Sequence, residues 1–406
     1  MPSLLPDGDP VPADGSLPES ALASYGQRSL GFYVHVPFCS VRCGYCDFNT
    51  YTASELGGGV SRTSYADAAI AEIRLARKVL GDADVPVRTV FFGGGTPTLL
   101  PPGDLNRVVA ALESEFGLAS DPEVTTESNP DSVSAADLAV LREGGINRIS
   151  FGMQSAVPHV LRVLDRTHDP ARVPQVVHWA RAAGFEQVSL DLIYGTPGES
   201  PADWQTSLEG ALASEPDHLS AYALIVEEGT ALARQVRRGD VSMTDDDDLA
   251  DKYLAADEAM EKAGLGWYEV SNWARTQDAR CRHNVAYWTG GDWWGIGPGA
   301  HSHVGGVRWW NVKHPTAYAG RIDAGASPAQ AREVLDDETR RVERVLLETR
   351  IRDGLPVDVL DRLGRDRLAE LLRRGLLDGD GLERGRVVLT RSGRLLADAV
   401  VRDLLP

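Results

Sequence analysis

Cysteine is scarce in this chain, with four residues in 406, which excludes a disulfide-stapled scaffold. No apolar run approaches the roughly 18–20 residues needed to span a bilayer, so a transmembrane helix is excluded. Positive charge is short: 41 basic residues face 59 acidic ones, and the net charge of −18 argues against nucleic-acid binding. Lysine is nearly missing, with arginine supplying the rest of the basic set; this looks like genome composition and carries no functional weight. The first 29 residues lack the basic start and apolar stretch of a signal peptide. They are rich in Pro, Asp, Ser and Gly and are expected to form a disordered leader, which places the protein in the cytoplasm.

What remains is an ordinary globular composition, 43% hydrophobic and 25% charged, long enough for two or three domains. The charge is uneven. Residues 332–406 hold 16 Arg and 16 acidic residues, so the whole of the −18 lies before them. The acidic run Asp245–Asp248 reads as the solvated start of a helix.

Strand and helix patterns alternate from Gly31 to about Ile225. Strands are expected at 32–36, 87–92, 123–127, 146–151, 187–193 and 218–224. Helices are expected at 65–80, 104–116, 134–143, 157–164, 173–183 and 201–213, with Ser134 as an N-cap. Six β-α units in a row predict a parallel sheet in an open, partial (β/α)6 barrel, with its chemistry at the carboxyl ends of the strands. The expected divisions are a leader over 1–29, a barrel over 30–265, an aromatic and glycine-rich linker over 266–331, and a small helical domain over 332–406. Another helix is expected at 246–263. In the last domain helices are expected at 338–350, 357–363, 367–374 and 394–404 and a strand at 387–389, a winged-helix-like pattern.

Three of the four cysteines fall in Cys39-Ser-Val-Arg-Cys43-Gly-Tyr-Cys46, directly after the first expected strand. Three thiolates on one tight loop can hold three irons of a four-iron cluster and leave the fourth open to a small molecule. Taken alone, the spacing also allows a zinc site. A second motif, Gly93-Gly94-Gly95-Thr96-Pro97, follows the second strand, where glycines let a ligand approach the backbone. Asp191 lies in the apolar stretch Leu190–Ile193, costly for a carboxylate unless it is bonded or faces the barrel mouth.

With its flanks, Tyr33-x-His35-x-Pro37-Phe38-Cys39-x3-Cys43-x-Tyr45-Cys46 resembles the signature of the radical S-adenosylmethionine superfamily. More narrowly it is similar to the branch holding the oxygen-independent coproporphyrinogen III oxidases and the HemW-type heme chaperones. The resemblance implies a [4Fe-4S] cluster on Cys39, Cys43 and Cys46, with S-adenosylmethionine on its open iron. It implies cofactor contacts at Tyr33, Tyr45, Gly94, Gly95, Thr96, Glu127, Gln154, Arg166 and Asp191. Phe48 stands where the oxidases carry a further cysteine, which weakens carry-over of their decarboxylation. Arg282-His283-Asn284-x-x-Tyr287-Trp288 matches the chaperones' H-N-x-x-Y-W sequence, and Gly295-Ile296-Gly297-Pro298-Gly299-Ala300-His301-Ser302 is also of that type.

The resemblance therefore implies a chaperone that binds heme and hands it to acceptor proteins, respiratory ones at the membrane surface among them. His283 is the expected heme ligand. The alternative is that His283 and Asn284 only bond the aromatic segment to the barrel. His301 is expected to line the S-adenosylmethionine site; His303 and Cys281 are weaker metal candidates. His159, His168, His178, His218 and His314 are expected to be surface or packing residues. Were the chain an enzyme, coproporphyrinogen dehydrogenation in porphyrin biosynthesis would be its reaction. The oligomeric state is open between monomer and homodimer.

Overall fold

A computed structural model describes residues 7–55 and 62–405. Its centre is a run of six parallel strands: β1 Leu30–Val36, β2 Val87–Gly94, β3 Leu118–Ser128, β4 Arg148–Gln154, β5 Gln187–Tyr194 and β6 His218–Ala223. Successive side chains of a strand point to opposite faces. On the outer face Phe32, Val34, Val90, Phe92, Ile149, Phe151, Leu190, Leu192 and Leu219 join one apolar core with the helices. The other face is different: Thr125, Glu127, Arg148, Ser150, Ser189, Asp191, His218 and Ser220 all line a cavity. A barrel whose interior is polar is not filled by its own side chains, and this leaves room for a ligand.

The helices follow the expected periodicity. Ala69, Ile73, Ala76 and Leu80 are buried along the helix Arg62–Leu80. The helix Ala135–Glu143 starts in a reciprocal capping box, Ser134 with Asp137. Trp204, on the helix Pro201–Leu212, is buried and donates its indole N–H to the Lys252 carbonyl at 2.9 Å, docking the helix Asp246–Lys262. That helix begins at the acidic run, with Asp245 at its N-cap position.

Four expectations are corrected. The segment 266–331 is not a linker but part of the sheet. Strands β7 Gly266–Glu269 and β8 Asn272–Ala274 add to the β6 edge; β9 Asp292–Ile296 pairs parallel with β1. Strands β10 His301–Val304, β11 Val307–Asn311 and β12 Ala329–Val334 continue antiparallel from β9. The twelve strands run in the order β12-β11-β10-β9-β1-β2-β3-β4-β5-β6-β8-β7.

The leader is ordered from residue 7. Asp9 exchanges backbone hydrogen bonds with Arg332 at 2.8 and 2.9 Å, and a short helix, Glu19–Ser24, buries Ala21 in the core. A polar segment can order when it completes a sheet edge and finds an apolar slot for one side chain. Residues 1–6 of the expected leader lie outside the described residues.

In the last 70 residues the expected helix at 357–363 is instead a single 3-10 turn, Val357–Val359, because Asp361 caps a new helix, Arg362–Arg373, through Gly364 N–H. The expected helix at 394–404 is two, Arg391–Leu395 and Ala397–Leu404. These helices and the pair β13 Leu355–Pro356 with β14 Arg386–Val387 surround their own core, including Val345, Leu360, Leu371 and Leu404. Asp257 of the barrel fastens this region by ion pairs to Arg391 and Arg394, 2.6 and 2.9 Å, and Arg394 lies 4.4 Å over the Trp267 ring.

Candidate functional site

The cysteine loop leaves the carboxyl end of β1 and is held by backbone on both sides. Cys39 N–H donates to the Tyr51 carbonyl at 3.0 Å, and Cys46 N–H donates to the Cys43 carbonyl at 3.1 Å. Gly95 and Thr96, just past β2, donate their N–H groups to the carbonyls of Val36 and Phe38 at 2.8 and 2.7 Å. A Cβ on Gly95 would lie 2.4 Å from the Phe38 oxygen, so only glycine lets the two loops close on each other. Gly94, at φ +107°, packs against the His35 ring, and a Cβ there would come within 2.6 Å of it.

Asn49 donates its side-chain N–H groups to the carbonyls of Pro298 and Lys313 at 3.0 and 2.9 Å. The glycine motif at 295–300 therefore braces the cysteine loop from behind. Gly297 abuts the His35 backbone so closely that a Cβ would be 2.5 Å from its carbonyl oxygen.

Eleven of the residues expected at the site line one cavity of about 610 Å³: Cys39, Cys43, Cys46, Tyr45, Gly94, Gly95, Thr96, Glu127, Gln154, Arg166 and Asp191. Arg166 links several of them. It donates to the Asn129 side chain, to the Gly152 carbonyl at 2.9 Å, and through Nη1 to Cys43 Sγ at 3.7 Å. Asn129 in turn donates to Thr96 Oγ1 at 3.1 Å. A guanidinium beside a ligand sulfur complements the negative charge of a thiolate-bound metal cluster. Gln154 ends β4 at φ +60°, a strained backbone for a non-glycine residue and one that clusters at functional positions.

Glu127 and Asp191 sit deep in the same cavity. Gly94 N–H donates to Glu127 at 3.2 Å, and Ser150 Oγ donates to Asp191 at 2.8 Å. Burial, helped by the Asp191 charge, pushes the Glu127 carboxyl up to about 8. Burial also raises Asp191, against hydrogen bonds from Ser220 and Ser150. Between pH 4.5, the ordinary value for Glu, and about 8 the folded chain therefore keeps a proton on Glu127 that the unfolded chain has lost. Stability from this group is present below that window and is lost as pH rises through it. The Glu127→Gln protein is expected to lose less unfolding free energy than wild type between about pH 5 and about pH 8. Equal pH dependence of the two proteins in urea denaturation would refute the assignment.

Three expected residues do not line the cavity. Tyr33 is turned into the wall, its hydroxyl 3.0 Å from His35 Nδ1. His35 Nε2–H donates to the Asn49 carbonyl at 2.9 Å, so Nδ1 accepts from Tyr33. His301 packs its ring against Trp310, with centroids 5.9 Å apart, behind the cysteine loop; the expectation that it lines the S-adenosylmethionine site is corrected.

His283 is 1% exposed. Its Nδ1 meets Thr89 Oγ1 at 2.9 Å and its Nε2 meets the Tyr287 hydroxyl at 2.8 Å, while its ring stacks on Phe91 at 5.3 Å. Burial pulls its pKa down to about 3. Both nitrogens are engaged and the ring is enclosed, so the expected heme ligand is here a strut that fastens the 281–288 segment to the barrel. Glu123 completes the strut by accepting the N–H groups of Arg282 and His283, each at 2.9 Å.

The rest of the H-N-x-x-Y-W sequence faces outward. Asn284, Tyr287 and Trp288 line a second hollow of about 310 Å³ with Tyr222, Val270 and Leu347. Tyr222 and Asn284 line both hollows. Val41, Phe48 and Ile225 are exposed apolar side chains lining the main cavity, Phe48 at 51% and Ile225 at 66%.

The residue reading missed Asn129, Arg148, Ser150, Ser189 and Ser220. It also set aside His218, which is buried against Ser189 at 2.7 Å and Tyr268 at 2.8 Å and lines the cavity. Their signal was the alternation in Arg148-x-Ser150, Ser189-x-Asp191 and His218-x-Ser220, polar every second residue in strands that are apolar on the other face.

The donor set suits an iron–sulfur cluster. Among the described residues no three His, Cys, Asp or Glu side chains converge as they would around a single metal ion. Three cysteines on the wall of one cavity can each supply one sulfur to one iron of a cluster. Burial holds Cys39 above the ordinary thiol range and pushes Cys46 up to about 11, so cluster binding would displace protons from them.

The comparisons agree with this geometry. Residues 33–210 match the Radical SAM superfamily. The chain is 50% identical over 385 residues to "Heme chaperone HemW" of Mycobacterium tuberculosis, covering 95% of this chain and 97% of the relative. It is 32% identical over 377 residues to "Heme chaperone HemW" of Bacillus subtilis, covering 91% and 97%. In fold it matches coproporphyrinogen III oxidase (HemN) of Escherichia coli, a radical SAM enzyme, with a TM-score of 0.81 at 24% identity over 97% of this chain and 94% of that one. With a sequence shared nearly end to end with the two bacterial relatives, and a cysteine loop set at the end of β1 over a polar barrel, the chain belongs to the HemW family of the radical SAM superfamily.

Proposed function

We propose that the protein is a heme chaperone that holds a [4Fe-4S] cluster and S-adenosylmethionine in the barrel mouth, binds heme as cargo, and delivers it to acceptor proteins. Cys39, Cys43 and Cys46 would hold the cluster. The turn Gly94-Gly95-Thr96, whose N–H groups are already bonded within the fold, would offer its carbonyls and its lack of Cβ bulk to the methionine end, while Tyr45, Glu127, Gln154 and Arg166 would surround the rest. When bound, the cluster supplies one-electron chemistry to S-adenosylmethionine. The protein's part is to bind, orient and shield.

The observation that carries the cargo reading is the second hollow. Tyr222, Val270, Tyr287, Trp288 and Leu347 give it aromatic and apolar walls that suit a porphyrin face, with Glu269, Asn272 and Asn284 as polar groups, and it adjoins the main cavity. This hollow replaces His283 as the favoured heme site. Phe48, exposed at the mouth in place of a further cysteine, weighs against oxidase chemistry. No helix among the described residues is long and apolar enough to cross a membrane, so delivery to membrane acceptors would occur from the surface.

The test is anaerobic reconstitution followed by hemin titration, with a parallel incubation of reduced protein, S-adenosylmethionine and coproporphyrinogen III. Saturable hemin binding without porphyrinogen conversion is the expected result. Protoporphyrinogen formed over many turnovers would replace the chaperone reading with the oxidase.

A further inference from the structure

The floor of the main cavity holds a cation for which the site described above has no use. Arg148 opens β4 and is 2% exposed. Its Nη1 donates to the Ala279 carbonyl at 2.8 Å, but its Nη2 is buried without a hydrogen-bond partner. Directly opposite it in the strand register stands Thr125 of β3, 1% exposed, whose Oγ1 is equally unpartnered. Both residues line the cavity.

A buried guanidinium remains charged at any pH a protein survives, and it is costly unless an anion meets it. Asp191 feels the Arg148 charge, but no neighbouring carboxylate bonds Nη2. Asp191 accepts from Ser150, and Glu123 accepts from Cys281, Arg282 and His283. A guanidinium N–H and a hydroxyl on paired residues of adjacent strands, both buried and unpartnered in the cavity wall, form a donor pair for the two oxygens of one carboxylate.

We propose that Arg148 and Thr125 form a carboxylate subsite and that its occupant is a propionate arm of the heme cargo. The proposal rests on the heme reading. Six residue steps along β4 lead from Arg148 to Gln154 at the mouth, roughly 20 Å at 3.3 Å per residue. A methionine carboxylate held beside the cysteine loop is engaged at the far end of that span. A propionate has another way in. The aromatic hollow shares Asn284 with the main cavity, and Asn284 lies five residues after Ala279, whose carbonyl holds Arg148.

The experiment compares hemin with hemin dimethyl ester on reconstituted wild-type protein, Arg148→Gln, Arg148→Lys and Thr125→Val, by absorbance titration, with S-adenosylmethionine affinity measured alongside. Wild type is expected to prefer the free acid by about tenfold, the order of one charge-assisted pair. Arg148→Gln should abolish the preference, Arg148→Lys keep part of it, and Thr125→Val reduce it several-fold. The ester arm needs no variant, so a folding defect cannot hide the answer. Equal binding of acid and ester by wild type would overturn the proposal. So would Arg148→Gln weakening S-adenosylmethionine instead of hemin, because the carboxylate would then belong to the cofactor. Failure of wild type to bind either hemin form would instead sink the heme reading itself.

Discussion

Alanine at Cys39, Cys43 or Cys46 is expected to abolish the iron–sulfur chromophore, taking iron from about four per reconstituted chain to near none. Each of these residues lines the same cavity, and each would carry one iron. A cluster with two remaining protein ligands and an open iron has lost a covalent anchor that nothing nearby replaces. The fourth cysteine is the control. Cys281 is buried, donates its thiol to Glu123 at 3.7 Å, and is pushed up by burial, beyond the range in which thiols ionise readily. Cys281→Ala should therefore keep the full iron content. Iron and sulfide analysis, with electron paramagnetic resonance of the reduced protein, reads both results. Full iron in any of the first three variants, or its loss in the fourth, would break the ligand assignment.

His283→Ala is expected to cost about 2–4 kcal/mol of stability, a strut's effect rather than a surface ligand's. The substitution leaves Thr89 Oγ1 and the Tyr287 hydroxyl without their partner and opens a void against Phe91. It also has a pH signature. Because burial holds His283 at about 3 against an ordinary 6.5, the unfolded chain takes up a proton in that window and the folded chain does not. Stability from the neutral imidazole is present above 6.5 and is lost as pH falls toward about 3. His283→Ala should flatten that acid limb. Urea denaturation of the metal-free protein at several pH values measures both effects. Unchanged stability together with lost hemin binding would restore His283 as a ligand.

The consequences of His283's burial reach the rest of its motif. Had the side chain faced outward, Asn284, Tyr287 and Trp288 would be a supporting cast for an iron ligand. With it turned inward, His283 fastens the segment to β2 with Tyr287 bonded to it, while Asn284, Tyr287 and Trp288 wall a hollow beside the main cavity. Tyr222 and Asn284 are shared between the two hollows.

Much of the architecture was legible because its causes are local. The strand alternation from Phe32 to Tyr222, the periodicity of Ala69, Ile73, Ala76 and Leu80, and the Ser134 cap each depend on residues a few positions apart. The cysteine spacing and the glycine run after β2 are local too, and both segments line the one cavity at the barrel mouth. What tertiary structure decided depends on pairings across long stretches of chain. Gly31 lies against Trp293, and Asp9 against Arg332, so the supposed linker became sheet and the supposed leader became its edge. No periodicity announces such partners, because they build outward from the edges that the run of six parallel strands leaves open at β1 and β6. Which way His283 points, and that Arg148 and Thr125 stand side by side with nothing to bond, follow from the same long-range packing. The sequence determined what the chain can bind at its mouth; only the folded barrel, by closing its polar faces around a shared void, decided which side chains are left to meet a ligand inside.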